Sequence, residues 1–257
     1  EPVFRHILAV SGRLFTDPRS RVKVALLILL FAVIPVTEML AVRLFSGIIT
    51  DGPGQFVENP RRVVWQIVVF FIALGATRSA HHGIKLARVR VIRSGFAASG
   101  SATPPNKESW QWALAFEMSN ALSAVVQILM FAVLFFVFDP VTGFAGAAVA
   151  ALSLLAISVL YKRQLVLQRD YLETRWSPEA VAIPERVGTR IKHSEIGAFI
   201  GTGGLLVTLV VVFSRVLGGQ IATSDAIVLF LGLRLMFGQF GTLSSSAMRF
   251  ARAAVHV

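Results

Sequence analysis

The 257-residue chain is 55% hydrophobic and only 15% charged, with a mean hydropathy of +0.70. A soluble domain carries about 25% charge, so lipid rather than water has to solvate much of this surface. The absence of cysteine excludes disulfides, thiol nucleophiles and cysteine-based metal sites, and the net charge of +11 leaves nucleic acid or anionic lipid as partners until the placement of the charges decides.

Taken in chain order, residues 3–16 interleave Val3, Phe4, Ile7, Leu8, Val10, Leu14 and Phe15 with Arg and His. That pattern predicts an amphipathic helix lying on a membrane surface. A membrane-crossing helix needs about 20 mostly apolar residues. Six stretches supply them: 22–48, 63–83, 113–138, 144–161, 196–217 and 222–248. The first is too long for a signal peptide and carries Pro35, Glu38 and Arg43. Thr50-Asp51-Gly52-Pro53-Gly54, Asp139-Pro140 and Gly218-Gly219 break the chain between spans and predict short connections on one side. The two long connections fall on the other side, with loops expected at Ser99–Lys107 and Ser177–Pro184.

The basic residues alternate with this pattern. Arg5, Arg13, Arg19, Arg21 and Lys23 precede span one, and Lys85, Arg88, Arg90, Arg93 and Lys107 lie between spans two and three. Seven more lie between spans four and five, and Arg249 and Arg252 close the chain; the opposite side holds only Arg61, Arg62 and Arg215. Lys and Arg mark cytoplasmic loops, so both termini are expected in the cytoplasm. The positive charge then serves topology and anionic headgroups. The bilayer is the partner this predicts, and nucleic acid is not.

Charges inside spans are expensive and are functional hypotheses by default. Glu38 in span one and Arg234 in span six lie at similar depth, so they are expected either to pair across the bundle or to line a pathway. The packing role is the plainer of the two. Arg43 is expected to reach the outer interface, and Arg78 and Glu117 the inner one. Adjacent His81 and His82 diverge by about 100° on a helix and cannot grip one metal. Pro35 removes a backbone hydrogen bond and should kink span one. Gly197, Gly201 and Gly204, together with Gly143 and Gly146, should let neighbouring helices approach closely. No zinc motif, nucleophile elbow, carboxylate cluster or phosphate-binding loop is present. No catalytic, cofactor-binding or metal-binding residue is therefore assigned, and the chain is not read as an enzyme.

The FRHILAVSGRLFTDPRSRVKVALLILLFAVIPVTEMLAVRLFSGII segment, with Gly219-Gln220-Ile221-Ala222-Thr223-Ser224-Asp225 and the AIVLFLGLRLMFGQFGTLSSSAMRFARAAV that follows, resembles the membrane domain of ABC exporters. The resemblance covers almost the whole chain. It implies an all-α membrane protein with an elbow helix and six transmembrane helices in a single domain over 1–257. The chain departs from the family in having no Gly-Lys dipeptide and therefore no P-loop, and in cytoplasmic connections about half the family's length. Leu217-Gly218-Gly219-Gln220 resembles the family's signature loop but sits at an outer turn. The expected function is a permease subunit of an ABC-type transporter with ATPase domains supplied elsewhere; the sequence does not name its substrate, though a hydrophobic or lipid-like one would suit the apolar spans. The expected setting is a homo- or heterodimer, or a larger membrane complex, in the bacterial cytoplasmic membrane. The alternative is a degenerate exporter-like domain that serves as a non-transporting structural or assembly subunit.

Overall fold

A computed structural model describes residues 17–98, 105–178 and 180–256. The expected elbow helix at 3–16 and most of the Ser99–Lys107 connection lie outside them. The described chain is helical almost throughout: α1 (Pro18–Thr50), α2 (Gly52–Glu58), α3 (Pro60–Ala98), α4 (Pro105–Phe138), α5 (Pro140–Glu173), α6 (Ile183–Leu217) and α7 (Thr223–Ala254). A single 3-10 turn, Thr174–Trp176, follows α5. Six of these, all but α2, are long and apolar enough to cross a membrane. The protein is an integral membrane protein built on α-helices.

Proline starts α1, α3, α4 and α5, where its missing N–H is one the helix could not have bonded anyway. Asp17 and Asp139 cap α1 and α5 by accepting from the backbone amides of the first turn. Gly219 has φ of 67° and turns the chain between α6 and α7. A side chain there would be strained, which is why the sequence punctuates this point with glycine.

The helices are longer than the spans. At 1.5 Å per residue, 33–39 residues reach about 50–58 Å, against about 30 Å of hydrocarbon. The excess of α3, α5 and α6 projects from the end of the bundle opposite the Asp139-Pro140 hairpin. The connection from α5 to α6 contracts accordingly to the 3-10 turn and residues 177–182. Much of the basic charge read as loop from the sequence lies on helix extensions.

Helix α7 is the centre. It packs against α1, α4, α5 and α6, and its Leu233, Met236, Phe240, Met248 and Phe250 are fully buried. Its close approach to α6 depends on the glycine stripe. A methyl at Gly201 would meet Phe240 Cβ at 2.7 Å, and one at Gly204 would meet the Phe237 ring at 2.6 Å. At Gly197 it would collide with the Ser244 side chain. Gly143 holds the α4–α5 hairpin tight, since a methyl there would strike the Phe136 backbone at 2.7 Å. Gly146 differs: its nearest neighbours stand at 3.8 Å, so a methyl would fit. Gly232, unremarked in the sequence, sits against Met39 and Phe135. Helix α3 is outermost and packs chiefly on α1. Only 11% of its apolar window is buried, against 44% for α7.

Candidate functional site

Glu38, singled out from the sequence, sits on α1 one turn beyond Pro35. A proline at position 35 cannot donate to the Phe31 carbonyl one turn earlier. In hydrocarbon no water replaces that donor. Gln127 of α4, 2% exposed, supplies it: its Nε2 donates to the Phe31 carbonyl at 3.1 Å. The Thr37 hydroxyl donates to the Ile34 carbonyl at 2.7 Å, and the Thr77 hydroxyl of α3 donates to Thr37 Oγ1 at 3.4 Å. One residue further on each helix, Arg78 Nη1 lies 3.4 Å from Glu38 Oε1. A polar ladder thus joins α1 to α3.

This ladder borders a groove of about 590 Å3 between α1, α3 and α7. Glu38 and Phe45 come from α1, Phe70 and Arg78 from α3, and Arg234 and Gln239 from α7. Arg234 lies about 17 Å along α7 from Thr223, and Glu38 about 18 Å from the end of α1 at Thr50, both within a 30 Å hydrocarbon layer. The structure brings the two residues singled out from the sequence into one groove. The ion pair that forms there, however, is Glu38–Arg78. Arg234 is exposed, and among the described residues no carboxylate lies within ion-pairing distance of it. One acid and two bases give the groove a net positive charge between apolar walls.

Several other charges near the span ends have partners. Arg43 reaches Asp225 at 3.9 Å and lies over the Phe138 ring at 4.6 Å, while the Ser46 hydroxyl donates to the Ser224 carbonyl. These contacts fasten the end of α1 to the start of α7. Arg249 Nε donates to Glu117 at 2.9 Å, and Arg88 hydrogen-bonds Asn120 and lies over the Phe116 ring. At the hairpin end Arg215 of α6 donates to Asp139 Oδ1 at 2.7 Å. Burial alone would push the Asp139 carboxyl up. The Arg215 guanidinium and the Thr142 hydroxyl and amide outweigh it and hold the carboxyl below the usual range. None of these ion pairs was assigned from the sequence, although every member lies at or near a span end.

The sequence matches no protein-family model, and no curated protein matches it.

Proposed function

We propose that this chain is a permease subunit of an ABC-type transporter and that the groove between α1, α3 and α7 is half of its pathway. The observation that supports this reading is an unpaired Arg234 beside the Glu38–Arg78 pair, at mid-membrane depth, in a groove with apolar walls. A charge so placed in a static bundle would be costly without a partner or water. The net positive groove suits an amphipathic molecule with an acidic group. The thin attachment of α3 leaves the groove open on one side, where a second membrane subunit would close it. The arginine-rich end, carrying both termini, faces the cytoplasm of a bacterial cell under this reading, and ATPase domains are supplied elsewhere.

The test is purification from the native membrane in mild detergent. An ATP-hydrolysing subunit should accompany the chain, and Arg234→Gln and Glu38→Gln should each lower hydrolysis several-fold without loss of the complex. Recovery with other membrane complexes, no hydrolysis, and indifference to both substitutions would overturn transport and mark the chain as an assembly subunit.

A further inference from the structure

A second cavity, of about 260 Å3, lies at the arginine-rich end, where the last turns of α5 and α7 meet the first turns of α4 and α6. Arg175 follows α5, Arg186 and Arg190 come from α6, and Arg252 comes from α7. Trp110, Tyr171 and His256 complete its walls. Four arginines and no carboxylate line the cavity, with the Arg252 guanidinium over the Trp110 ring at 5.2 Å and that of Arg175 over the Trp176 ring at 5.0 Å. Nor does any carboxylate lie within ion-pairing distance of the four among the described residues. Glu173 falls in the neighbouring depression with Arg169. The start of α6 has no side-chain cap at Ala182, and its first turn carries Glu185, which does not line the cavity.

The arginines also repel one another. Arg190 lies within the field of both Arg252 and Arg249. His256 stacks on Trp110 with ring centroids 4.2 Å apart. Burial, then the charges of Arg252 and Arg175, push its pKa below the ordinary histidine value. Among the described residues no carboxylate neutralises this cluster of like charges, which leaves it open to an anion from outside the chain.

Depth identifies what. Measured along the helices from the hairpin end, Arg190 is about 40 Å down α6 from Leu217, Arg252 about 44 Å down α7 from Thr223, and Tyr171 about 46 Å down α5 from Pro140. A bilayer with its headgroups is about 40–45 Å thick. The cavity therefore opens at the headgroup layer of the leaflet opposite the hairpins, the level at which Trp and Tyr accumulate. Its volume is below the roughly 300–1,000 Å3 of drug-binding pockets, which leaves room for a headgroup and not for a larger solute. Guanidinium forks match phosphate oxygens two at a time.

We infer that the cavity formed by Arg175, Arg186, Arg190 and Arg252 is a specific site for the phosphate of an anionic phospholipid headgroup. The lipid neutralises the cluster and thereby ties the ends of α5, α6 and α7 together at that level. Zwitterionic lipid, with its own ammonium group beside the phosphate, is repelled by the same arginines.

The experiment uses the full chain, purified and delipidated in detergent, with tryptophan fluorescence reporting on Trp110. Short-chain phosphatidylglycerol should give a saturable change, and short-chain phosphatidylcholine should bind at least tenfold more weakly. Arg186→Gln with Arg190→Gln should weaken phosphatidylglycerol about twenty-fivefold, at roughly fivefold per arginine near a headgroup layer. Arg61→Gln with Arg62→Gln, equal in charge at the other end, should leave it unchanged. Should the double variant fail to fold, Trp110→Phe must abolish the signal, and Arg190→Lys must retain charge-dependent binding at reduced affinity. Equal binding of both lipids, or equal loss in the two double variants, overturns the site. Saturation by inorganic phosphate alone at the same affinity overturns the lipid source and leaves a free-anion site.

Discussion

Removing the amide of Gln127 isolates the cost of the backbone hydrogen bond that Pro35 leaves unmade. In Gln127→Leu the Phe31 carbonyl loses its donor, which is 3.1 Å away and buried among α1 and α4. An orphaned buried carbonyl costs about 1–3 kcal/mol. Interhelical hydrogen bonds in membrane bundles measure less, about 0.6 and at most about 1.7 kcal/mol. The substitution also removes Gln127 Oε1, which is already buried without a partner, and that recovers part of the loss. The expected net destabilisation is about 1 kcal/mol. Pro35→Ala changes the accounting, because an alanine amide donates to Phe31 within the helix and makes the glutamine redundant. In that background Gln127→Leu should be neutral or slightly stabilising. Reversible unfolding in mixed detergent micelles, run as a double-mutant cycle, should therefore show a coupling of about 1 kcal/mol between residues that are not themselves hydrogen-bonded. Additivity within about 0.3–0.5 kcal/mol would refute the idea that Gln127 stands in for the missing proline amide.

Gly197→Ala should destabilise by about 1–3 kcal/mol through overpacking against Ser244. Gly203→Ala, on the same helix with open space around it, should be neutral or gain up to about 1 kcal/mol of helix propensity; thermal unfolding compares the two directly. Asp139→Asn breaks the bridge to Arg215 and should cost about 3 kcal/mol, the low end for removing one partner of a buried pair. The Asp139 carboxyl is held below its ordinary value in the fold, so its stabilisation is full above about pH 4 and disappears as pH falls through the folded-state value. Stability measured down to pH 3 should lose part of its acid limb in the asparagine variant. For His256 the folded state disfavours the proton. Its contribution is full above the ordinary value of about 6.5 and is lost as pH drops below it. Trp110 fluorescence should therefore change between pH 7.5 and 5, and His256→Gln should flatten that change.

Six spans could be read from composition alone, because hydrocarbon demands long apolar runs and little else imitates them. The stripe of Gly197, Gly201 and Gly204 was readable for a similar reason: glycines three and four apart share one helix face, and a face of hydrogen atoms exists to be approached. Pairing was a different matter. Glu38 and Arg234 matched in depth, but depth does not say which way a side chain points around its helix, and Arg78, deeper on α3, has the length to reach Glu38. Gln127 offered a readable clue, a lone amide within an apolar run facing a chain with a mid-span proline, but only the packing of α4 on α1 puts it opposite Phe31. The Arg175–Arg186–Arg190–Arg252 cluster was invisible because its members come from three separate stretches of chain, which only the packing of the helix ends brings together. Gly146 looked like its neighbours in the sequence and differs only in what stands across from it.

The loose seating of α3 bears on how the chain enters the membrane. Helices α3 and α7 are the least apolar of the six spans, and α3 carries Arg78 well inside the helix. A segment that must cross largely on its own, with few helix neighbours, benefits most from a partner already in place. Helix α1 is made before α3, and it carries Glu38 and Thr37 at the positions that receive Arg78 and Thr77. Order of synthesis thus presents the acid before the base arrives. The two helices can settle as a hairpin whose inner charges meet during insertion, before α4 to α7 exist to shelter them.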